Sequence, residues 1–269
     1  MTDAGLPHPG ELTYANYLEV DTLLSLQRPR SSPPEHDETL FIIIHQTYEL
    51  WFRQLLHEFA KIKRDFSADR MFEAIHTFQR CRTIMKTLVA QVDILETMTP
   101  MSFTGFRERL EKASGFQSVQ FREFEFELGY RRAGMLAYFK AIPGAEDTLR
   151  RRLNERSIYD HFYDFLEARG VAIPAPLRDK PVSESTTPNE DIQEGILRLY
   201  QREPAVGILF ELMTDFDEGI QEWRYRHVKL VERTIGSKQG TGGSLGVEFL
   251  KKSLFMPAFP DLWEIRHRL

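Results

Sequence analysis

Residues 222–247, EWRYRHVKLVERTIGSKQGTGGSLGV, decide the kind of fold this chain adopts. Trp223, His227, Leu230, Val231 and Ile235 recur at helical spacing, so the stretch opens as the end of a long helix with His227 on or beside its apolar stripe. Gly236 closes the periodic run, as a helix C-cap glycine does. Gly240-Thr241-Gly242-Gly243-Ser244 then supplies backbone that can approach a ligand closely, with two hydroxyls to bond it, before another helix begins. It is not a nucleotide loop, because it lacks the GxxxxGK[ST] spacing and no strand pattern precedes it.

Two accounts of His227 stand side by side. A lone histidine on an apolar face is ordinarily a hydrogen-bonded core residue. A neutral imidazole on a buried face, followed by a glycine loop, also suits an axial haem ligand. The glycine run divides the same way, between a plain turn and a binding loop.

Working outward, 269 residues suffice for a sizeable core. With 42% hydrophobic and 28% charged residues, the composition is that of a soluble globular protein. Twenty phenylalanines suggest aromatic packing or a large flat pocket. A formal net charge of −5 disfavours nucleic-acid binding, which needs clustered basic surface. Arg131-Arg132 and Arg150-Arg151-Arg152 lie among acidic residues and fit a solvated helix face. Cys81 is the only cysteine, which rules out an intrachain disulfide and any Cys-based metal cluster. Its place in mid-helix, between Arg80 and Arg82, favours a structural role. The N-terminus lacks a signal pattern and no run approaches the roughly 18 apolar residues of a membrane span, so the chain reads as cytoplasmic.

Residues 1–11 read as a disordered arm. Thr13 opens a helix carrying Tyr14, Tyr17 and Leu18, two tyrosines three apart that serve either the core or an interface, with the core as default. The prolines of 27–35 make a linker. From His36 a helix of some thirty residues runs without breakers, and Phe41 and His45, four apart, share one face. A second long helix covers 71–98 and holds Glu73 and His76 at the Glu-x-x-His spacing of di-iron bundles. Only one copy occurs, so a solvated face explains it better. Phe103 and Arg107 fall four apart on the next helix. Arg107 calls for an anionic partner, either an acidic side chain or a substrate carboxylate. FREFEFELG (121–129) alternates like a strand, yet no partner strand exists elsewhere, so helix is expected. Shorter helices follow at 135–140, 145–154 and 158–169. The Pro- and Ser/Thr-rich 171–189 is a surface linker, and helices at 191–200, 203–235, 248–254 and 260–267 complete an all-α bundle.

At this point the chain resembles a known family. LTYANYLEVDTLL (12–24), HDETLFIIIHQTYELWF (36–52), TPMSFTGFRERL with ASGFQSVQFR (99–122), WRYRHVKLVERTIG (223–236) and GTGGSLGVEFL (240–250) look like the motifs of the tryptophan 2,3-dioxygenases, in that family's order. The resemblance implies an all-α, single-domain bundle over 1–269 around a haem pocket, assembling as a homotetramer, with 1–35 as N-terminal arm and interface helix. It implies haem b, one per subunit, with His227 as axial ligand of the iron and Ser114 and Gly115 on the haem side. It implies L-tryptophan and O2 as partners. His45 would hydrogen-bond the indole N–H, Phe41 would pack on the ring, and Ile42, Ile43 and Ile44 would line the same pocket. Arg107 and Phe103 would face the substrate carboxylate, and Thr241 the ammonium and carboxylate end. Tyr14, Tyr17 and Leu18 would reach a neighbouring subunit's site. One departure is visible: some bacterial members carry tyrosine where this chain has Phe103, so the chain lacks a hydroxyl that can assist the carboxylate.

The implied chemistry is cleavage of the indole C2–C3 bond with both atoms of O2, giving N-formyl-L-kynurenine and opening tryptophan degradation by the kynurenine pathway. His45 positions and selects rather than acting as an obligatory base. Two rivals remain: a related haem enzyme oxidising another indole, and a helical interaction protein whose histidines are core residues. Turnover of tryptophan against simple indoles separates the first, and haem uptake the second.

Overall fold

The computed structural model describes residues 11–236, 238, 240 and 246–269, and all regular structure among them is helical. The N-terminal arm as far as residue 10, and the glycine-loop residue Thr241, lie outside the described residues. In order the helices are α1 (Tyr14–Tyr17), α2 (Val20–Leu24), α3 (His36–Ser67), α4 (Met71–Leu95), α5 (Pro100–Arg107), α6 (Val119–Glu127), α7 (Ala145–Leu153), α8 (Ile158–Ala168), α9 (Ala175–Arg178), α10 (Glu190–Arg202), α11 (Pro204–Ile235), α12 (Val247–Lys251) and α13 (Pro260–Glu264). The short helix expected over 135–140 winds as a 3-10 helix, Ala133–Phe139.

The long helices arise from unbroken apolar repeats. In α4, Met71, Ala74, Phe78, Cys81, Met85, Leu88, Val92 and Leu95 alternate steps of three and four, and all are buried. In α3, Phe52, Leu55, Phe59, Ile62 and Phe66 do the same. These stripes let α4 lie along both α3 and α11, the central packing of the molecule. Phe59, 0% exposed, stacks on Phe124 and meets Phe216 edge-on. Burial of one such ring is worth about 2–3 kcal/mol. In α11 the same stepping runs Met213, Phe216, Ile220, Trp223, His227, Leu230. His227 therefore occupies a position where the repeat would place a hydrophobe. Pro204 starts α11 and Gly236, at φ 61°, ends it. Glu73 and His76 both face solvent on α4, as expected for a solvated face.

The phenylalanine–charge alternation of 121–127 is helical because α6 is buried all round. Phe124 enters the main core, and Phe126 enters a smaller cluster with Leu136, Phe139, Leu149 and Leu153. Its charges are paired: Lys63 and Arg152 on Glu127, Arg152 on Glu123, and Arg122 and Arg132 on Glu125. This corrects the solvated-face expectation for two arginines. Arg131 is 6% exposed and donates to the carbonyls of Arg152, Leu153 and Glu155, while Arg152 serves three glutamates. Buried carboxylates on α6 demanded cations from the neighbouring segment.

Within 171–189, α9 gives the segment a short helix, and Ser185 and Thr186 bond the backbone at Arg131 and Gly129. Val171 sits so close to Gly195 of α10 that a Cβ there would lie 2.2 Å from it, which only glycine avoids. The C-terminal segment is pinned by Asp217, which accepts from the Ala258 and Phe259 amides at 2.9 Å and the Trp263 indole at 3.0 Å.

At the other end, the linker before α3 docks through Glu38, 1% exposed, which accepts from the amides of Arg30 at 2.7 Å and Ser31 at 2.9 Å. Glu38→Gln turns one acceptor oxygen into a donor facing an amide, so stability is expected to drop by about 1–3 kcal/mol. A urea midpoint equal to wild type would remove this role. The N-terminal helices break at Glu19, φ 51°, and leave Tyr14 78% and Tyr17 69% exposed. The default of a core role for these tyrosines is thus corrected within the chain.

Candidate functional site

A cavity of about 290 Å³ opens between α3, the end of α4, α5, α6 and α11, closed by the segment 110–118 and by Gly246, Leu250 and Ser253 around α12. From α3 come Phe41, His45, Tyr48, Glu49 and Phe52, one face of that helix. Phe41 and His45 have ring centroids 4.1 Å apart, and Phe41 also meets Phe103 at 5.8 Å and Phe106 at 5.4 Å. Thr99 caps α5, accepting from the Ser102 amide at 3.0 Å, with Pro100 in its first turn. That start sets Phe103 and Arg107 one turn apart on the cavity wall.

His45 Nδ1 lies 2.7 Å from the Phe41 carbonyl. A carbonyl only accepts, so Nδ1 carries the proton and Nε2 keeps a lone pair. Burial holds His45 below the usual histidine value, against the opposing pull of the Phe41 carbonyl and Glu49. His227 is pushed down to about 4 by burial, with His45 adding to the shift, so its imidazole is neutral at neutral pH. Trp223 stacks on it with planes 2° apart and centroids 5.3 Å apart. Phe52 and Phe121 hold Trp223 in turn, at 6.1 and 5.3 Å. Among the described residues, aromatic packing and no hydrogen bond fixes the imidazole plane of His227.

Ser114 caps the following turn by accepting from the Phe116 amide at 3.3 Å. A Cβ at Gly115 would meet nothing within 4 Å, so open space lies against that backbone. Behind these groups, α6 and α11 bring Arg122, Glu125 and Arg224 to the cavity, and the segment after α6 brings Arg132.

Among the expected site residues, Phe41, His45, Phe103, Arg107, Ser114, Gly115 and His227 thus meet at one cavity. Ile42, Ile43 and Ile44 are not on its wall, which corrects their grouping with Phe41. Ile44 is 5% exposed in the core and Ile43 44% exposed, because successive helical residues turn about 100° apart. Tyr14, Tyr17 and Leu18 are also away from the chain's own cavity. Sequence reasoning left Trp223 without a role and missed Tyr48, Phe52, Arg122, Glu125, Arg132 and Arg224. Charges embedded in the apolar run 121–127 were the available signal. Among the described residues no three His, Cys, Asp or Glu side chains gather as a metal-holding group.

The sequence profile of the family described as Tryptophan 2,3-dioxygenase matches residues 6–156 and 189–269. The tryptophan 2,3-dioxygenase of Herpetosiphon aurantiacus is 52% identical over 255 residues, 95% of this chain and 97% of that one. That of Anaeromyxobacter sp. strain K is 47% identical over the full length of both, and that of Rhodococcus jostii 46% identical over 95% of this chain and 91% of its own. The chain belongs to the tryptophan 2,3-dioxygenase family. All the cavity residues assigned from the sequence that lie within the described residues fall inside the two matched stretches. The unmatched 157–188 holds α8 and α9, which contribute nothing to the cavity wall.

Proposed function

We propose that this member of the tryptophan 2,3-dioxygenase family is a haem-dependent enzyme that cleaves the C2–C3 bond of the L-tryptophan indole with O2. Both oxygen atoms enter the product, N-formyl-L-kynurenine, the first intermediate of tryptophan degradation by the kynurenine pathway. The observation that carries this is His227: a neutral, half-buried imidazole standing in an apolar repeat and facing a cavity shared with His45 and Arg107. One imidazole with no cluster of further ligands among the described residues fits a metal that brings its own equatorial ligands, as haem b does. The largely apolar walls, with aromatic rings from α3, α5, α6 and α11, and the open space at Gly115 fit a flat macrocycle. His227 would hold the iron, and the haem, when bound, supplies the redox chemistry that lets O2 react with a closed-shell indole.

The remaining steps belong to side chains. Nε2 of His45 accepts the indole N–H, which positions the ring and selects for a free N–H. A site held below the usual histidine value is a poor proton acceptor, so His45 orients rather than abstracts. Phe41 and Phe103 pack on the ring. Arg107 takes the carboxylate in a fork, and Thr241 the ammonium and carboxylate end. The exposed Tyr14, Tyr17 and Leu18 cover a neighbouring subunit's site in a homotetramer, with 1–269 folding as one domain and acting in the cytoplasm.

The test is the visible spectrum of the reduced protein with and without L-tryptophan, followed by product analysis. A Soret band that shifts with tryptophan, together with N-formyl-L-kynurenine, is expected. No Soret band after haem reconstitution overturns the enzyme, and a band indifferent to tryptophan moves the substrate to another indole.

A further inference from the structure

A second depression lies at the opposite end of α3 from the cavity, where the last turns of α3 meet α8. Lys63, Arg64, Ser67, Arg70 and His161 line it. The rise of a continuous helix puts Ser67 roughly 33 Å from His45, so the groove has no part in the cavity. His161 belongs to the stretch 157–188, which the family profile leaves unmatched.

Apart from Ser67, each of these side chains carries or can carry positive charge, and the acids nearby are already shared. Asp65, 2% exposed, serves both Lys61 at 2.5 Å and Arg70 at 2.8 Å. Glu127 serves Arg152 as well as Lys63. Asp164 serves Arg156 and Arg178, each at 2.8 Å, and Asp160 faces Lys180 at 3.4 Å. Among the described residues no carboxylate pairs with the exposed Arg64. The groove therefore holds more positive charge than its own acids neutralise. His161 registers the excess: burial pushes its imidazole down to about 4, Arg156 and Lys63 add to the shift, and Asp164 and Asp160 do not reverse it.

Donors are also left over. Lys63, its side chain only 15% exposed, donates to Glu127 at 3.0 Å and to the Arg156 carbonyl at 3.2 Å, which leaves the third of its protons. His161 Nδ1 lies 2.7 Å from Ser67 Oγ, so Nε2 is the nitrogen that remains for a ligand. A lone guanidinium fork matches a planar carboxylate. An ammonium, an imidazole and guanidinium groups arriving from two helices match a tetrahedral oxyanion with two charges.

We infer that this groove is a binding site for the phosphate group of a small phosphorylated molecule, held by Lys63, Arg64 and His161. The bound anion bridges α3 and α8 and so fastens the 157–188 stretch to the long helices. Nothing in the inference depends on haem or tryptophan, and its failure leaves the proposed activity standing.

The experiment is calorimetric titration of the full-length protein with inorganic phosphate, at slightly alkaline pH and constant ionic strength, beside acetate and chloride. Saturable binding of phosphate alone is expected, with a rise in the thermal midpoint. Arg64→Gln should weaken that binding by about tenfold, the range of one charge-assisted hydrogen bond, and His161→Gln by a similar factor. Arg64 loses no internal partner on substitution, so Arg64→Gln decides the matter even if His161→Gln fails to fold by circular dichroism. Acetate binding as tightly as phosphate, no saturable phosphate binding, or undiminished binding in Arg64→Gln overturns the site. Sedimentation with phosphatidate vesicles without a response to inorganic phosphate places the phosphate on a lipid and overturns the small-molecule ligand.

Discussion

His227→Ala is expected to lose tight haem binding while keeping its fold. His227 stands in the apolar stepping of α11 yet makes its ring contact with Trp223 and faces the cavity rather than the dense core. Truncation therefore removes a stacking contact and enlarges an existing space, a modest change for a helix otherwise anchored by Phe210, Met213, Phe216 and Ile220. The loss to the metal is far larger. Removing a group that merely orients a ligand costs roughly 10–100-fold in metal affinity, and removing the ligand itself exceeds that. The apoprotein should show wild-type far-UV circular dichroism and no stable Soret band. Added imidazole, which fits the space vacated by the side chain, should restore the band in part. An unchanged Soret spectrum in His227→Ala would assign ligation to another residue.

Arg107→Met should damage tryptophan turnover nearly as severely, by another route. Arg107 lines the cavity one helical turn from Phe103, with Phe41 and His45 on the adjoining wall. A bidentate guanidinium–carboxylate pair in such an apolar place is worth about 2–4 kcal/mol, so kcat/KM for L-tryptophan is expected to fall by about 30- to 1,000-fold. Lysine should not rescue it, because a point charge cannot reproduce the fork. The diagnostic is selectivity. Binding of an indole without a carboxylate, measured by its effect on the Soret band, should be the same in wild type and variant. If tryptophan and the simple indole lose equally, Arg107 supports the fold of the site rather than the carboxylate.

The helical class and the long elements were legible because they depend on local repeats. The steps of three and four in α3, α4 and α11 need no partner to be read, nor do Pro204 and Gly236 at the ends of α11. Phe41 and His45 were visible as a pair for the same reason, since four residues of helix bring two side chains into register. Local pattern misled where burial was all-round. The alternation in α6 imitates a strand, and its helical state rests on cations from distant segments that satisfy its carboxylates. Arg131 and Arg152 were misjudged on the same ground: whether an arginine is solvated depends on what lies across from it.

The sequence by itself determined that the chain is helical, that α11 presents an imidazole in an apolar stripe, and that α3 and α5 each present an aromatic ring with a polar group one turn away. Its distributed motifs also carried the family. Only the tertiary structure decided that these three faces meet at one cavity, that Trp223 holds the plane of His227, and that arginines crowd a single glutamate at its floor. It also turned Ile43 outward and Ile44 into the core, while Phe41 and His45 stayed on the wall. The division has a plain cause. Helical periodicity is set by neighbours within a few residues, whereas a cavity exists only after remote surfaces have packed and excluded water.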